Sequence, residues 1–161
     1  MQRTMIALFG IGNSGKTTTI SLVYDHFLRQ QGVRVIDPGE RGRRRRQPGA
    51  REIKGAILEI DGVKVGITTP GDRPFILTPC LEVLIAKGCA VLVCATHTRG
   101  DTVAAVRRLA SEAVPPFKLV WIQKACQQVD HEDGNRKKAE EVISAVRKAV
   151  AEAQQPELVE A

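Results

Sequence analysis

The chain alternates between short apolar runs and longer stretches in which apolar residues recur every three or four positions. Residues 4–9 (TMIALF) predict a buried strand. From Lys16 to about Gln30, the residues Ile20, Val23, Phe27 and Leu28 recur at helical spacing, and Gly32 closes the segment. Residues 33–37 (VRVID) predict a second strand, broken by Pro38-Gly39. Residues 53–60 and 63–68 predict the arms of a hairpin, joined by Asp61-Gly62, a pair suited to the positive φ angles of a two-residue turn. The segment TTPGDRP then predicts a loop. Thr78-Pro79 predicts the cap and first turn of a helix running to about Lys87 and Gly88. Residues 90–95 (AVLVCA) predict a fully apolar strand. Asp101 or Thr102 caps a helix expected to run through Ala113, stopped by Pro115-Pro116. Residues 118–122 predict the last strand. Residues 135–154 predict an amphipathic helix with Ala139, Val142, Ile143, Val146, Val150 and Ala153 inward.

Continuous apolar strands alternating with helices predict an α/β domain over residues 1–155. The expected architecture is three-layered: a mainly parallel sheet, helices on both faces, and one antiparallel hairpin strand at an edge. Residues 156–161 are expected to fray. The length of 161 residues suits one domain with one core.

Composition narrows the class only a little. Hydrophobic residues make up 43% and charged residues 26%, which argues against a disordered or collagen-like chain. No apolar stretch approaches the roughly 18 residues of a membrane span, and residues 5–9 are shorter than the apolar core of a signal peptide. A cytoplasmic protein that does not engage membranes is therefore expected. The four cysteines (Cys80, Cys89, Cys94, Cys126) form no CxxC pair, and the three histidines are scattered, so buried thiols are expected rather than a zinc site.

Charge changes the picture more. Residues 40–54 (ERGRRRRQPGAREIK) carry six Arg and one Lys against two Glu, a net +5, whereas the rest of the chain has 17 basic and 16 acidic residues. The sequence reads as a nearly neutral domain bearing one basic loop, not as a generally basic coat for nucleic acid.

The stretch GIGNSGKT, residues 10–17, stands between the first strand and the first helix. Gly10 and Gly15 allow a tight turn whose N–H groups face phosphate oxygens. The following helix adds its positive dipole end. Lys16 brings a charge to the β- and γ-phosphates, and Thr17 a hydroxyl to Mg2+. Gly10, Ile11, Gly12, Asn13, Ser14, Gly15, Lys16, Thr17 and Thr18 are the expected nucleotide-binding residues. Through this motif the chain resembles the P-loop NTPase superfamily. The resemblance implies a strand-loop-helix at the start, MgNTP binding, and the alternating layout of most of the chain.

Two layouts within that superfamily compete. The hairpin followed by GITTPGD looks like small Ras-like GTPases, where a DxxG motif senses the γ-phosphate. Gly71 stands at its Gly, but Thr68 replaces its acid. Their guanine-reading NKxD motif corresponds to Gln123-Lys124-Ala125-Cys126, which lacks the Asp. ATP is accordingly expected over GTP. In adenylylsulfate-kinase-like proteins, an Asp ends the strand after the first helix and faces the acceptor. Asp37 matches that placement, as an orienter of an acceptor hydroxyl or a holder of Mg2+-bound water, or else it simply opens a turn. Asp72 is the second candidate acid, for Mg2+ or for catalysis, or a cap for the next segment. Arg99, past the apolar strand, is a candidate phosphate or acceptor contact or a surface residue.

Arg43, Arg44, Arg45 and Arg46 form the candidate contact for an anionic acceptor, a transferring phosphoryl group or a nucleic-acid backbone; a solvated loop is the alternative. Aromatics are only 4% of the chain, which argues against single-strand stacking. The leading expectation is a P-loop ATPase or small kinase, with Lys16, Asp37 and Asp72 as its catalytic candidates. A slow, GTPase-like switch or adaptor and a nucleic-acid-associated ATPase or kinase are the alternatives.

Overall fold

In the computed structural model, which describes residues 1–11, 15–44, 51–71, 73–125 and 131–155, the first apolar run is strand β1 (Arg3–Phe9). Its side chains alternate between two cores. Ile6 and Leu8 face one, Met5 and Ala7 the other. A strand buried on both faces must be apolar at every position, and this explains why TMIALF has no polar alternation. Helix α1 (Lys16–Leu28) follows, then β2 (Arg34–Asp37), β3 (Glu40–Arg44), β4 (Arg51–Lys54), β5 (Ala56–Ile60) and β6 (Val63–Ile67). The remaining elements are α2 (Pro74–Ala86), β7 (Val91–Thr96), α3 (Asp101–Glu112), β8 (Phe117–Gln123) and α4 (His131–Gln154).

Six strands form the main sheet in the order β2-β5-β6-β7-β1-β8. β6, β7, β1 and β8 are mutually parallel, and β5 runs against both its neighbours. The antiparallel strand therefore lies one place inside the edge, and β2 takes the edge itself. Helices α1 and α4 cover one face, burying Ile20, Val23, Phe27, Val142, Val146 and Val150. Helices α2 and α3 cover the other through Leu77, Leu81, Leu84, Val106 and Leu109. The fold is thus α/β with a mixed, mostly parallel sheet between two helical layers. Among the described residues, no helix is long and apolar enough to cross a membrane.

The β5–β6 hairpin closes as its sequence predicts. Ile60 pairs with Val63, and Asp61 and Gly62 take φ of 49° and 80°. Two other expectations fail. The run 53–60 is not one strand: Gly55, at φ 69°, breaks it into β4 and β5. β4 leaves the main sheet and pairs with β3 as a separate two-stranded ribbon, so much of the basic segment is strand rather than loop. Helix α2 begins at Pro74, five residues before the expected first turn at Pro79, which lies inside it. Proline disrupts a helix by removing one hydrogen bond and crowding the carbonyl four residues back. Here Pro79 falls on the exposed face, where water can satisfy the Phe75 carbonyl, while Leu77, Leu81 and Leu84 bury the opposite face. Burial of three leucines outweighs one lost bond.

Leu81→Ala is expected to lower stability by about 2–5 kcal/mol in urea unfolding, whereas Pro79→Ala should leave it unchanged or raise it. The thiols give a second check. Burial pushes Cys94 up to about 12 and Cys89 up to about 11, so neither forms appreciable thiolate near neutrality. Both should resist a thiol reagent at pH 8 in the native protein and react on denaturation.

Candidate functional site

Buried polar groups collect where the parallel strands end. Thr68 and Thr69 follow β6, Thr96 ends β7, Lys124 follows β8, and Lys16 opens α1; all are buried. A core end this rich in polar groups needs partners for them, and the C-terminal edge of a parallel sheet is where α/β folds place ligands.

Lys16 is the centre of the arrangement. Only 7% exposed, it donates from Nζ to Gly10 O at 2.7 Å and to Thr96 O at 2.8 Å. The ammonium so ties the start of α1 to the ends of β1 and β7. Gly10 N–H also donates to Thr96 O at 3.3 Å, and Lys124 N–H to Phe9 O at 2.7 Å. The ends of β7, β1 and β8 are laced together beneath the loop.

Gly15 forms the N-cap of α1 at φ 93°, in the left-handed region, and no side chain caps the helix. Its first turn carries no acid. The Thr19 N–H and hydroxyl both reach back to Gly15 O, at 2.9 and 2.8 Å. An uncapped N-terminus without a competing carboxylate is suited to an anion. Thr17 and Thr18 stand half-buried in that first turn. Ile11 is 59% exposed, whereas Gly12, Asn13 and Ser14 lie outside the described residues.

The loop after β6 reaches this place as well. Thr68 N–H donates to Val93 O at 3.0 Å, and a Cβ on Gly71 would sit 2.0 Å from Ala95 O. Only glycine can lie so close to β7, one residue from the Thr96 carbonyl that Lys16 holds. The fold therefore brings Gly10, Gly15, Lys16 and Gly71 together. Thr68 Oγ1, which stands where a DxxG acid would, is fully buried and has no partner among the described residues. Thr96–Arg99 also falls at this end, as β7's position requires, with Arg99 exposed.

Asp37 is not brought in. It pairs with Ile57, which aligns with Gly66 and then with Leu92. That row is three strands and four residues away from Thr96, or roughly 14 Å across and 13 Å along the sheet by ordinary strand spacings. Its carboxylate accepts from Gly39 N–H at 2.9 Å and from Lys87 Nζ at 3.2 Å. The Gly39 N–H first, and Lys87 second, hold its pKa below the usual carboxylate value. Asp37 opens a turn, and the catalytic role expected of it loses its geometric basis. Asp72, Arg45 and Arg46 lie outside the described residues; Arg43 and Arg44 are placed by backbone alone, in β3.

Two participants were not singled out as site residues from the sequence. Lys124, 3% exposed, is marked in the sequence only by an incomplete NKxD motif. Asn135, 5% exposed, presses Oδ1 against Gly15, and that oxygen has no partner among the described residues. Its signal was available: it precedes Ala139 by four residues and so continues the inward stripe of α4 with an amide. Among the described residues no group of three or more His, Cys, Asp or Glu side chains is arranged to hold a metal.

In comparisons with known proteins, no family model matches the chain, and no curated protein or solved structure is significantly similar to it.

Gly15 offers a direct test of the packing. A Cβ there would lie 2.3 Å from Asn135 Oδ1 and would also meet the positive φ. Gly15→Ala is expected to cost about 1–3 kcal/mol in urea unfolding. Adding Asn135→Ala should recover part of that loss, because it removes the clash but not the backbone strain. Full additivity of the two losses would refute the contact.

Proposed function

We propose that this chain binds MgATP through a phosphate loop at residues 10–17 and either hydrolyses it or passes the γ-phosphoryl group to an anionic acceptor. One observation carries the reading: a buried ammonium, Lys16, set at an uncapped helix N-terminus directly after a left-handed glycine. A buried cation needs strong partners, and an ammonium set beside helix N–H groups suits a polyphosphate.

The roles follow from the chemistry of each group. Lys16 and the N–H groups at the start of α1 neutralise phosphate charge. Thr17 offers its hydroxyl to Mg2+. Gly71 rests on Ala95, one residue before the Thr96 carbonyl that Lys16 meets, and its N–H is the candidate contact for the terminal phosphate. Asp72 follows Gly71 in sequence and is the remaining acid proposed for ordering water or Mg2+. The preference for ATP over GTP rests on the missing Asp of the guanine-reading motif. A cytoplasmic setting goes with this reading, since Cys80, Cys89 and Cys94 are free thiols.

Calorimetric titration with ATP and with GTP, each with Mg2+, tests the proposal. ATP is expected to bind, and Thr17→Ala should weaken the Mg2+-dependent part. Lys16→Ala should abolish binding and also cost about 1–3 kcal/mol of stability, because it strips a buried donor from Gly10 O and Thr96 O. Its fold must therefore be checked by melting in the same series. Preference for GTP would favour the switch reading, and binding of neither nucleotide would overturn the proposal. Asp37→Asn should leave ATP binding unchanged.

A further inference from the structure

Strands β3 and β4 of the ribbon carry Arg41, Arg43, Arg44, Arg51 and Lys54 against Glu40 and Glu52, and their register is uneven. At its base Glu40 pairs with Lys54, opposite charges that attract. Farther out Arg44 pairs with Arg51. The register thus sets two basic positions opposite each other at this end of the ribbon. β3 spends three residues between Arg41 and Arg44 where β4 spends two between Ile53 and Arg51, a bulge that bends the ribbon. The positions of Arg41 and Arg44 stand about 10 Å apart along the strand. That spread exceeds one phosphate group and suits a repeating charge.

The ribbon is also anchored to the proposed nucleotide site. Thr69 N–H donates to Ile53 O at 2.8 Å, and Ile53 N–H donates to Thr69 Oγ1 at 2.9 Å. Both residues are buried. Thr69 lies two residues before Gly71, whose backbone rests on Ala95 beside the Lys16-bound carbonyl of Thr96. A shift of the loop at residues 68–71 must therefore move β4 or break these bonds. At the other side of the ribbon's root, Gly39 at φ 68° passes so close to Lys54 O that a Cβ would lie 2.5 Å from it. Gly39 and Gly55 make a neck at which the ribbon turns out of the sheet.

We propose that the β3–β4 ribbon is an arm that binds the backbone of duplex DNA, and that its hold on DNA is linked through Thr69 and Ile53 to occupancy of the phosphate-loop site. The width of the DNA major groove, about 12 Å, admits a two-stranded ribbon, whereas the major groove of duplex RNA is too deep and narrow. Backbone contacts need no aromatic side chains, in keeping with this composition. The linkage rests on the nucleotide reading above; the DNA contact does not.

The test is fluorescence anisotropy of a labelled DNA duplex of about 20 base pairs, titrated with the full chain between about 50 and 200 mM salt. In nucleotide-free buffer, wild-type affinity should fall steeply with salt. Arg44→Ala with Arg51→Ala, its folding checked by thermal melting, should lower the salt slope by about two. Arg44→Lys with Arg51→Lys should keep most of the slope. An unchanged slope in the alanine variant overturns the arm. So does equal affinity for heparin, for phosphatidylglycerol vesicles or for duplex RNA.

With MgATP at a concentration shown by calorimetry to saturate, DNA affinity should change by about fivefold or more. Thr69→Val should remove that change, and Thr69→Ser, which keeps the hydroxyl, should restore it. An equal change in all three proteins overturns the linkage. Absence of ATP binding in the calorimeter overturns the linkage together with the nucleotide reading, while the DNA contact is decided separately in nucleotide-free buffer.

Discussion

The ammonium of Lys16 is the constraint on which the site depends. It is buried, so it must be hydrogen-bonded, and its partners are the carbonyls that end two neighbouring strands. That requirement fixes where α1 starts relative to the sheet. It also fixes the line that the loop from β6 must follow, since Gly71 rests on the residue before Thr96. Asn135 closes the far side, against Gly15. Four segments distant in sequence are thereby held around one positive charge.

Legibility in the sequence followed the physics of each segment. The strands of the parallel core were readable because burial on both faces removes polar residues, and the Asp61-Gly62 turn because few residues tolerate its φ angles. The start of α2 was not readable from local signals. Thr78-Pro79 looks like a cap, but the leucines at 77, 81 and 84 share one face that local capping rules ignore. The division of residues 53–60 is marked by Gly55, yet apolar residues on both sides, Ile53 and 56–58, mask it as one strand-like run. The ribbon itself was hidden because arginine-rich sequence has no strand pattern; pairing across the Gly39–Gly55 neck makes it.

The site divides in the same way. Lys16, Gly10 and Gly15 belong to one local motif, and local spacing suffices to find them. Gly71 reaches them across β7, consistent with the hairpin layout. Asp37 ends its strand as expected, but the strand is at the sheet edge, and strand order is a tertiary property that chain position does not encode. Asn135 is the converse. Its place on the inward stripe was visible, but the glycine it meets lies far away along the chain.

Edge strand β2 has a consequence of a different kind. It is four residues long, bulged between Val35 and Asp37, begins with Arg34 and is followed by Pro38. Val35 and Ile36 are both more than a third exposed, and a long flat edge bearing them would invite strand-by-strand stacking of copies into aggregates. Brevity, a kink, a flanking cation and a residue without an N–H all interrupt such templating. The outermost strand thus acts as a guard for colloidal solubility, at the cost of contributing little apolar burial of its own.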